Sequence, residues 1–286
     1  MIEHDPHSPQ RSLAERLRGD MRAFTPSEKR AAHVLLSHYP FAGLDTVAEF
    51  AARAGVSAPS ILRFVLRLGF SGFPDFQRHL REELEARLLS PLAKTPASEP
   101  QRAASPLDSF ARAAVANISA TVESIAPAEF EAVADLLSDL KRTLHFSGGR
   151  FTGALARYAA SHFRIIRGNV DFIESQPVLW RDRMIDIGRK DVMVIYDIRR
   201  YQRDVIALAE SAARQGATIV LLTDPWLSPV SRVARHVLPA HVGAPSNWDS
   251  SGGLLMLTEA LVATVTKQLW ETARPRMETV ERLRDG

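Results

Sequence analysis

The sequence predicts an α/β protein in two parts: an all-α amino-terminal domain, then a parallel-sheet α/β/α sandwich of flavodoxin-like or Rossmann-like layering. Three observations carry that expectation. Residues 11–90 place apolar side chains at three and four spacings, with no convincing period-two pattern. Residues 90–108, SPLAKTPASEPQRAASPLD, hold four prolines among small and polar residues and read as a linker. From about residue 108 onward, helical stretches alternate with short β-rich runs, the order of a parallel sheet covered by helices on both faces. The expected boundaries are 11–90 for the helical domain, 91–107 for the linker, 108–272 for the sheet domain and 273–286 for a charged tail.

Bulk composition narrows the class. A chain of 286 residues with 45% hydrophobic and 24% charged residues fits two ordinary globular domains. No apolar run approaches the roughly 20 residues of a spanning helix, so no membrane partner is expected. The opening MIEHDPHSPQRS lacks the basic-then-apolar order of a secretory signal. Cysteine is absent, which excludes disulfides and thiolate chemistry; the chain is expected in the cytoplasm. The pI of about 9.4 suggests nucleic acid, yet the net charge is only +3. Residues 1–90 hold twelve Lys/Arg against eleven Asp/Glu. Placement of charge, not its total, must carry any nucleic-acid argument. His4 and His7 read as part of an unstructured tail; no metal and no cofactor are expected.

The informative amino-terminal stretch is TVAEFAARAGVSAPSILRFVLRLGF, Thr46 to Phe70. Its first nine residues form a short helix with Val47, Phe50 and Ala51 on one side. Gly55 sits at the break, where a left-handed backbone costs glycine little. Ser57 stands where an amino-cap belongs, and Pro59 falls in the first turn, where its missing N–H does no harm. The second helix, Ala58 to Leu68, turns Ile61, Phe64, Val65 and Leu68 inward. This is a helix-turn-helix layout, whose second helix enters the DNA major groove amino end first. Ser60, Arg63 and Arg67 lie outward, and arginine can fork onto guanine or clamp a phosphate. Ser57, Ala58, Ser60, Arg63 and Arg67 are the candidate contacts to double-stranded DNA. A plain helical hairpin with solvated arginines is the alternative.

The span Ser27 to Leu84 resembles the amino-terminal domain of the RpiR family of bacterial transcription regulators. The resemblance rests on SEKRAAHVLLSHYP, on TVAEFAARAGVSAPSILRFVLRLGFSGFPDFQRHL, and on the spacing between them; the run GVS…RF…LGFSGFPDF is specific. It implies a second domain of the sugar isomerase (SIS) type, which binds phosphosugars. Residues 111–270 resemble such a domain through LHFSGGRFTGALARYAA, DVMVIYDIRRYQRDVIALAESAARQGATIVLLTD and LSPVSRVARHVLP.

Five runs read as its strands: RTLHFSG, NVDFIES, DVMVIYD, ATIVLLTD and RHVLPAH. Ligands of a parallel sheet sit beyond the strands' carboxyl ends, here at Gly148–Thr152 and Asp197–Gln202. The candidate ligand-binding residues are Gly148, Gly149, Arg150, Thr152, Asp197, Arg199, Arg200 and Gln202. Both loops depart from the family pattern. Arg150 stands in place of the second glycine of Gly-x-Gly-x-Ser, while Thr152 keeps a hydroxyl. Asp-Ile-Arg-Arg-Tyr-Gln replaces a loop rich in serine and glycine, whose N–H groups cradle phosphate. Three roles stand open for Arg199 and Arg200: binding an anion by side chain, pairing with acids such as Asp197 or Asp204, or meeting another subunit.

Asp224 reads as a turn cap, and Trp248 as a sugar-stacking or interface residue. An aldose–ketose isomerase needs a general base. His241, Asp249 and Glu259 are available but form no spaced constellation, so no catalytic residue is assigned. The expected function is a DNA-binding regulator that senses a small anionic carbohydrate derivative, a sugar phosphate or sugar acid, and works as a dimer or tetramer. A sugar-phosphate isomerase and a regulator whose second domain only oligomerises are the alternatives.

Overall fold

The computed structural model describes residues 13–37, 39–88 and 105–284; His4, His7 and residues 91–104 of the expected linker lie outside them. The chain divides into two compact units, Met1–Lys94 and Thr95–Gly286.

The described part of the first unit is helical: α1 (Leu13–Asp20), α2 (Pro26–Ser37), α3 (Val47–Ala54), α4 (Ala58–Arg67) and α5 (Phe73–Leu88). Its core is built from Leu13, Leu17, Leu35, Phe50, Phe64 and Phe76, all fully buried. Phe24 meets Phe64 edge to face at 5.7 Å. Gly43 leaves room for this packing, because a β-carbon there would overlap the side chains of Leu80 and Phe76. A buried carboxylate ties the unit together. Glu83 accepts from the Leu13 N–H at 3.1 Å and from the Tyr39 hydroxyl, and meets His79 Nε2 at 3.0 Å.

The second unit opens with α6 (Pro106–Ser124) and α7 (Pro127–Ser138), then alternates: β1 (Thr143–Gly148), α8 (Thr152–Ile166), β2 (Val170–Phe172), α9 (Pro177–Trp180), β3 (Asp191–Asp197), α10 (Arg203–Arg214), β4 (Thr218–Thr223) and β5 (His236–Pro239). Helices α11 (Gly252–Gln268) and α12 (Trp270–Arg284) close it. The five strands run parallel in the order β2-β1-β3-β4-β5, and each coincides with a run read from the sequence. Every residue of β3 is buried, as a central strand covered on both faces requires. One face buries Leu144, Phe146, Val194, Tyr196 and Leu222 together with residues of α7, α8 and α11. The other buries Met193, Ile195 and Leu221 with α10 and Trp180.

Two expected boundaries change. Residues 106–107 belong to α6 and not to the linker, because the Ser105 hydroxyl accepts from the Asp108 N–H at 3.1 Å and Pro106 suits a first turn. Residues 273–284, read as a charged tail, form most of α12, and Ala273 is fully buried in the core. No described helix is long and apolar enough to cross a membrane.

The sequence reading overlooked Arg167. It is fully buried, and Nη1 donates to the carbonyls of Leu137 at 2.7 Å and Asp139 at 3.0 Å while Nη2 donates to that of Arg142. The guanidinium therefore closes the carboxyl end of α7, where unpaired carbonyls and the helix dipole favour a cation.

Candidate functional site

In the first unit, local chemistry sets the angle between α3 and α4. Thr46 and Glu49 form a reciprocal capping box at the start of α3. At its end Gly55 takes φ 61°, a left-handed conformation, and the Val56 N–H returns to the Ala51 carbonyl at 3.0 Å. Ser57 then caps α4, with Oγ 2.9 Å from Ser60 Oγ and 3.4 Å from the Ser60 N–H. Ile61, Phe64, Val65 and Leu68 are buried, as the spacing predicts.

The opposite face of α4 presents Pro59, Leu62, Arg63 and Leu66, all exposed. Arg63 Nη2 donates to Ser60 Oγ at 3.3 Å, so Ser57, Ser60 and Arg63 form one hydrogen-bonded row, and Ala58 is half-buried beside it. Leu62 and Leu66, 43% and 55% exposed, were missed by the sequence reading. Their position opposite Ile61 and Val65 was available from the helical period.

Arg67 departs from its expected place. Its guanidinium donates to Glu28 Oε2 at 3.0 Å and to the Ala23 carbonyl at 2.7 Å, and it lies 5.7 Å from the Phe24 ring. Partial burial opposes ionisation of Glu28, but bonds from Thr25 and the Arg67 charge hold its carboxyl below the ordinary range. Arg67 thus fastens α4 to the start of α2, and Arg63 is the outward arginine of α4 that no carboxylate among the described residues holds.

In the second unit, β1 and β3 are adjacent while their connections leave to opposite sides, the switch point where parallel sheets open a crevice. The two loops expected there do meet. Thr152 Oγ1 donates to the Tyr196 carbonyl at 2.6 Å and accepts from the Gly149 N–H at 2.9 Å. Gln202 Oε1 accepts from the Arg150 N–H at 2.8 Å. A β-carbon on Gly148 would lie 2.9 Å from the Gly153 nitrogen, so glycine is required for the turn into α8. Side-chain oxygens of this chain thus occupy the Gly149 and Arg150 N–H groups.

Arg199 takes the second of the three roles considered for it, with a different partner. Its Nε donates to Asp249 Oδ2 at 2.7 Å and its Nη2 to Oδ1, a bidentate fork, and its guanidinium carbon stands 4.3 Å from the centre of the Trp226 ring. Burial disfavours the charge, but the bonds and charge of Asp249, with Asp224 behind it, more than offset this and raise the Arg199 pKa. Arg200, by contrast, is exposed.

Asp224 does more than cap a turn. Fully buried, it accepts from the Arg199 N–H at 2.5 Å, the Tyr201 hydroxyl at 2.7 Å and the Trp226 N–H at 3.1 Å. Burial pushes the Asp197 carboxyl up to about 7, and the Asp224 charge adds to the rise. Bonds from Ser228 and the Gln202 N–H offset this only in part. The loop from His241 to Ser250 joins both others, through Asp249 to Arg199 and through Trp248, whose ring lies 5.7 Å from that of Phe151. Of the isomerase candidates, Asp249 holds Arg199, exposed Glu259 accepts from the Tyr158 hydroxyl at 3.2 Å, and the backbone N–H of buried His241 donates to the Thr121 hydroxyl oxygen at 2.9 Å. Among the described residues no group of three or more His, Cys, Asp or Glu is placed to hold a metal ion.

Comparison with known proteins agrees with both halves. Residues 11–87 match the model described as helix-turn-helix domain, rpiR family, and residues 136–264 match that of the SIS domain. The chain belongs to the RpiR family. It is a helix-turn-helix transcription regulator that carries an SIS domain. This RpiR-family chain is 26% identical over 224 residues to the HTH-type transcriptional regulator HexR of Escherichia coli, covering 78% of this chain and 75% of that one. Two solved structures share its fold. One is the sugar isomerase domain of an RpiR transcription factor from Sphaerobacter thermophilus (TM-score 0.57, 23% identity, 62% of this chain and 98% of that one). The other is Vibrio vulnificus NanR complexed with ManNAc-6P (TM-score 0.54, 20% identity, 95% of this chain and 97% of that one).

Proposed function

We propose that this RpiR-family regulator reads double-stranded DNA with the exposed face of α4 and that its SIS domain senses a small anionic carbohydrate derivative, a sugar phosphate or sugar acid. The observation that carries the first half is Arg63: exposed, on a doubly capped helix-turn-helix, and bonded, among the described residues, to the Ser60 hydroxyl and to no carboxylate. Ser57, Ala58 and Ser60 stand at the amino end of α4, where groove contacts begin. Leu62 and Leu66 supply apolar contacts of the kind that meet thymine methyl groups. Arg67 serves chiefly as a brace for α4. Paired heads in a dimer or tetramer, acting in the cytoplasm, would read half-sites about 34 Å apart if one turn separates them.

The sensing half rests on the relative NanR, with its bound ManNAc-6P, and on charge at the crevice. Arg150 and Arg200 are exposed there and form no ion pair among the described residues. The domain binds its effector without turning it over, and an isomerase activity is not assigned. A second reading, in which the SIS domain only assembles subunits, is favoured by the internal occupation of the Gly149 and Arg150 N–H groups.

Changing Arg63 to Ala is expected to weaken operator binding by about 1–3 kcal/mol if Arg63 reads a base, with loss of preference at one position. A phosphate contact would instead weaken all sequences alike and flatten the salt dependence. Fluorescence anisotropy titration at two salt concentrations separates these outcomes, and an unchanged titration removes Arg63 from the reading face.

A further inference from the structure

The acceptors in the crevice each sit on a donor. Thr152 Oγ1 holds the Gly149 N–H, Gln202 Oε1 the Arg150 N–H, and Asp224 Oδ2 the Arg199 N–H. A tetrahedral phosphate against a loop draws on several such N–H groups at once, and these three are engaged. The Arg199 fork is different. Its acceptor is a carboxylate on the 241–250 loop, not on the strand ends that fix Asp224. The Arg199 side chain is 8% exposed and that of Asp249 17%, and Trp226 lies against the guanidinium. A planar two-oxygen acceptor on a fixed planar fork is the geometry of carboxylate recognition.

We propose that the Arg199 fork is the seat of an exogenous carboxylate, which competes for it with the Asp249 carboxylate. The inference rests on the effector reading above and narrows it to sugar acids. The incoming acid takes the two Arg199 donors, and the Asp249 side chain, on a loop whose ends at Val242 and Ser250 stay buried, turns away from the fork. Arg150, Arg200 and Arg203 are exposed and form no ion pair among the described residues, so the neighbourhood stays favourable to a second anion during the exchange. Ligand binding then separates the Asp249 carboxylate from Arg199, giving the acid a conformation to select.

The test vacates the seat in the full chain with Asp249→Ala and offers acetate, the free counterpart of the removed group. Thermal unfolding is followed by tryptophan fluorescence at constant ionic strength. Acetate is expected to raise the melting temperature of the variant by about 4 °C and that of the parent by less than about 1 °C. Phosphate and chloride should act alike on both. Adding Arg199→Lys, which keeps charge but loses the fork, should remove the acetate response. Should Asp249→Ala fail to fold, Asp249→Asn is measured the same way, its weaker amide acceptor leaving the seat open to displacement. Acetate acting no better than chloride, or phosphate acting as well as acetate, overturns the proposal. Operator titrations of the parent keep the two readings apart. If a sugar phosphate alters operator affinity while acetate rescue fails, the seat is wrong and anion sensing stands. If rescue succeeds but neither gluconate nor sugar phosphates alter operator affinity, the seat stands and sensing by this domain is lost.

Discussion

Replacing Arg167 by alanine will destabilise the SIS domain by roughly 3–5 kcal/mol, because four main-chain carbonyls, those of Leu137, Asp139, Arg142 and Gly168, lose their donor together. Those of Leu137 and Asp139 close α7, and that of Arg142 begins the approach to β1. Among the described residues no carboxylate is bonded to the guanidinium, so its charge is balanced by carbonyl dipoles at a helix end. Arg167→Lys should recover only part of the loss, since a single ammonium cannot spread over the same four acceptors. All four tryptophans, Trp180, Trp226, Trp248 and Trp270, lie after residue 95. Urea unfolding followed by tryptophan fluorescence therefore reports this unit alone. A loss below about 1 kcal/mol, the scale of one ordinary hydrogen bond, would show that water takes over these carbonyls.

Asp197→Asn gives the second large effect, and it depends on pH. The carboxyl titrates at about 7 in the folded protein, chiefly through burial, and near 4 when unfolded. Below about pH 4 both states are protonated and the domain has its full stability. Between about pH 4 and 7 the unfolded chain binds fewer protons than the folded one, so stability falls as pH rises, then levels off above the folded value. A displacement of this size is on the order of 4 kcal/mol at full ionisation. Asparagine copies the neutral acid in shape, so the variant should match the parent near pH 4, where both states are protonated, and exceed it near pH 8, by urea unfolding at the two values. Equal stability of parent and variant at pH 8 would mean that Ser228 and the Gln202 N–H sustain the carboxylate without cost.

The layering of the fold was legible because it follows from patterns local in sequence. The unbroken apolar run in DVMVIYD places β3 at the sheet's centre, and Gly55, Ser57 and Pro59 place the turn before α4 within a residue. The sites were legible only as loops. Partners of Arg199 were sought among Asp197 and Asp204 because they are near in sequence, whereas the one it takes, Asp249, lies fifty residues on in a loop without periodicity. Arg67 was read as outward from helical period alone; its stem is long enough to fold back onto Glu28 and Phe24, and period says nothing about where a guanidinium ends. Arg167 had no signal, for a buried arginine serving main-chain carbonyls leaves no pattern in side-chain type.

Selection of random duplex DNA by the purified full chain bears most directly on the claim that α4 is a reading head. The parent protein should enrich one sequence family built of two related half-sites, and Arg63→Ala should lose or broaden the preferred base at one position of each. Enrichment of no sequence family at low salt, or of the same family with undiminished preference by the variant, contradicts it.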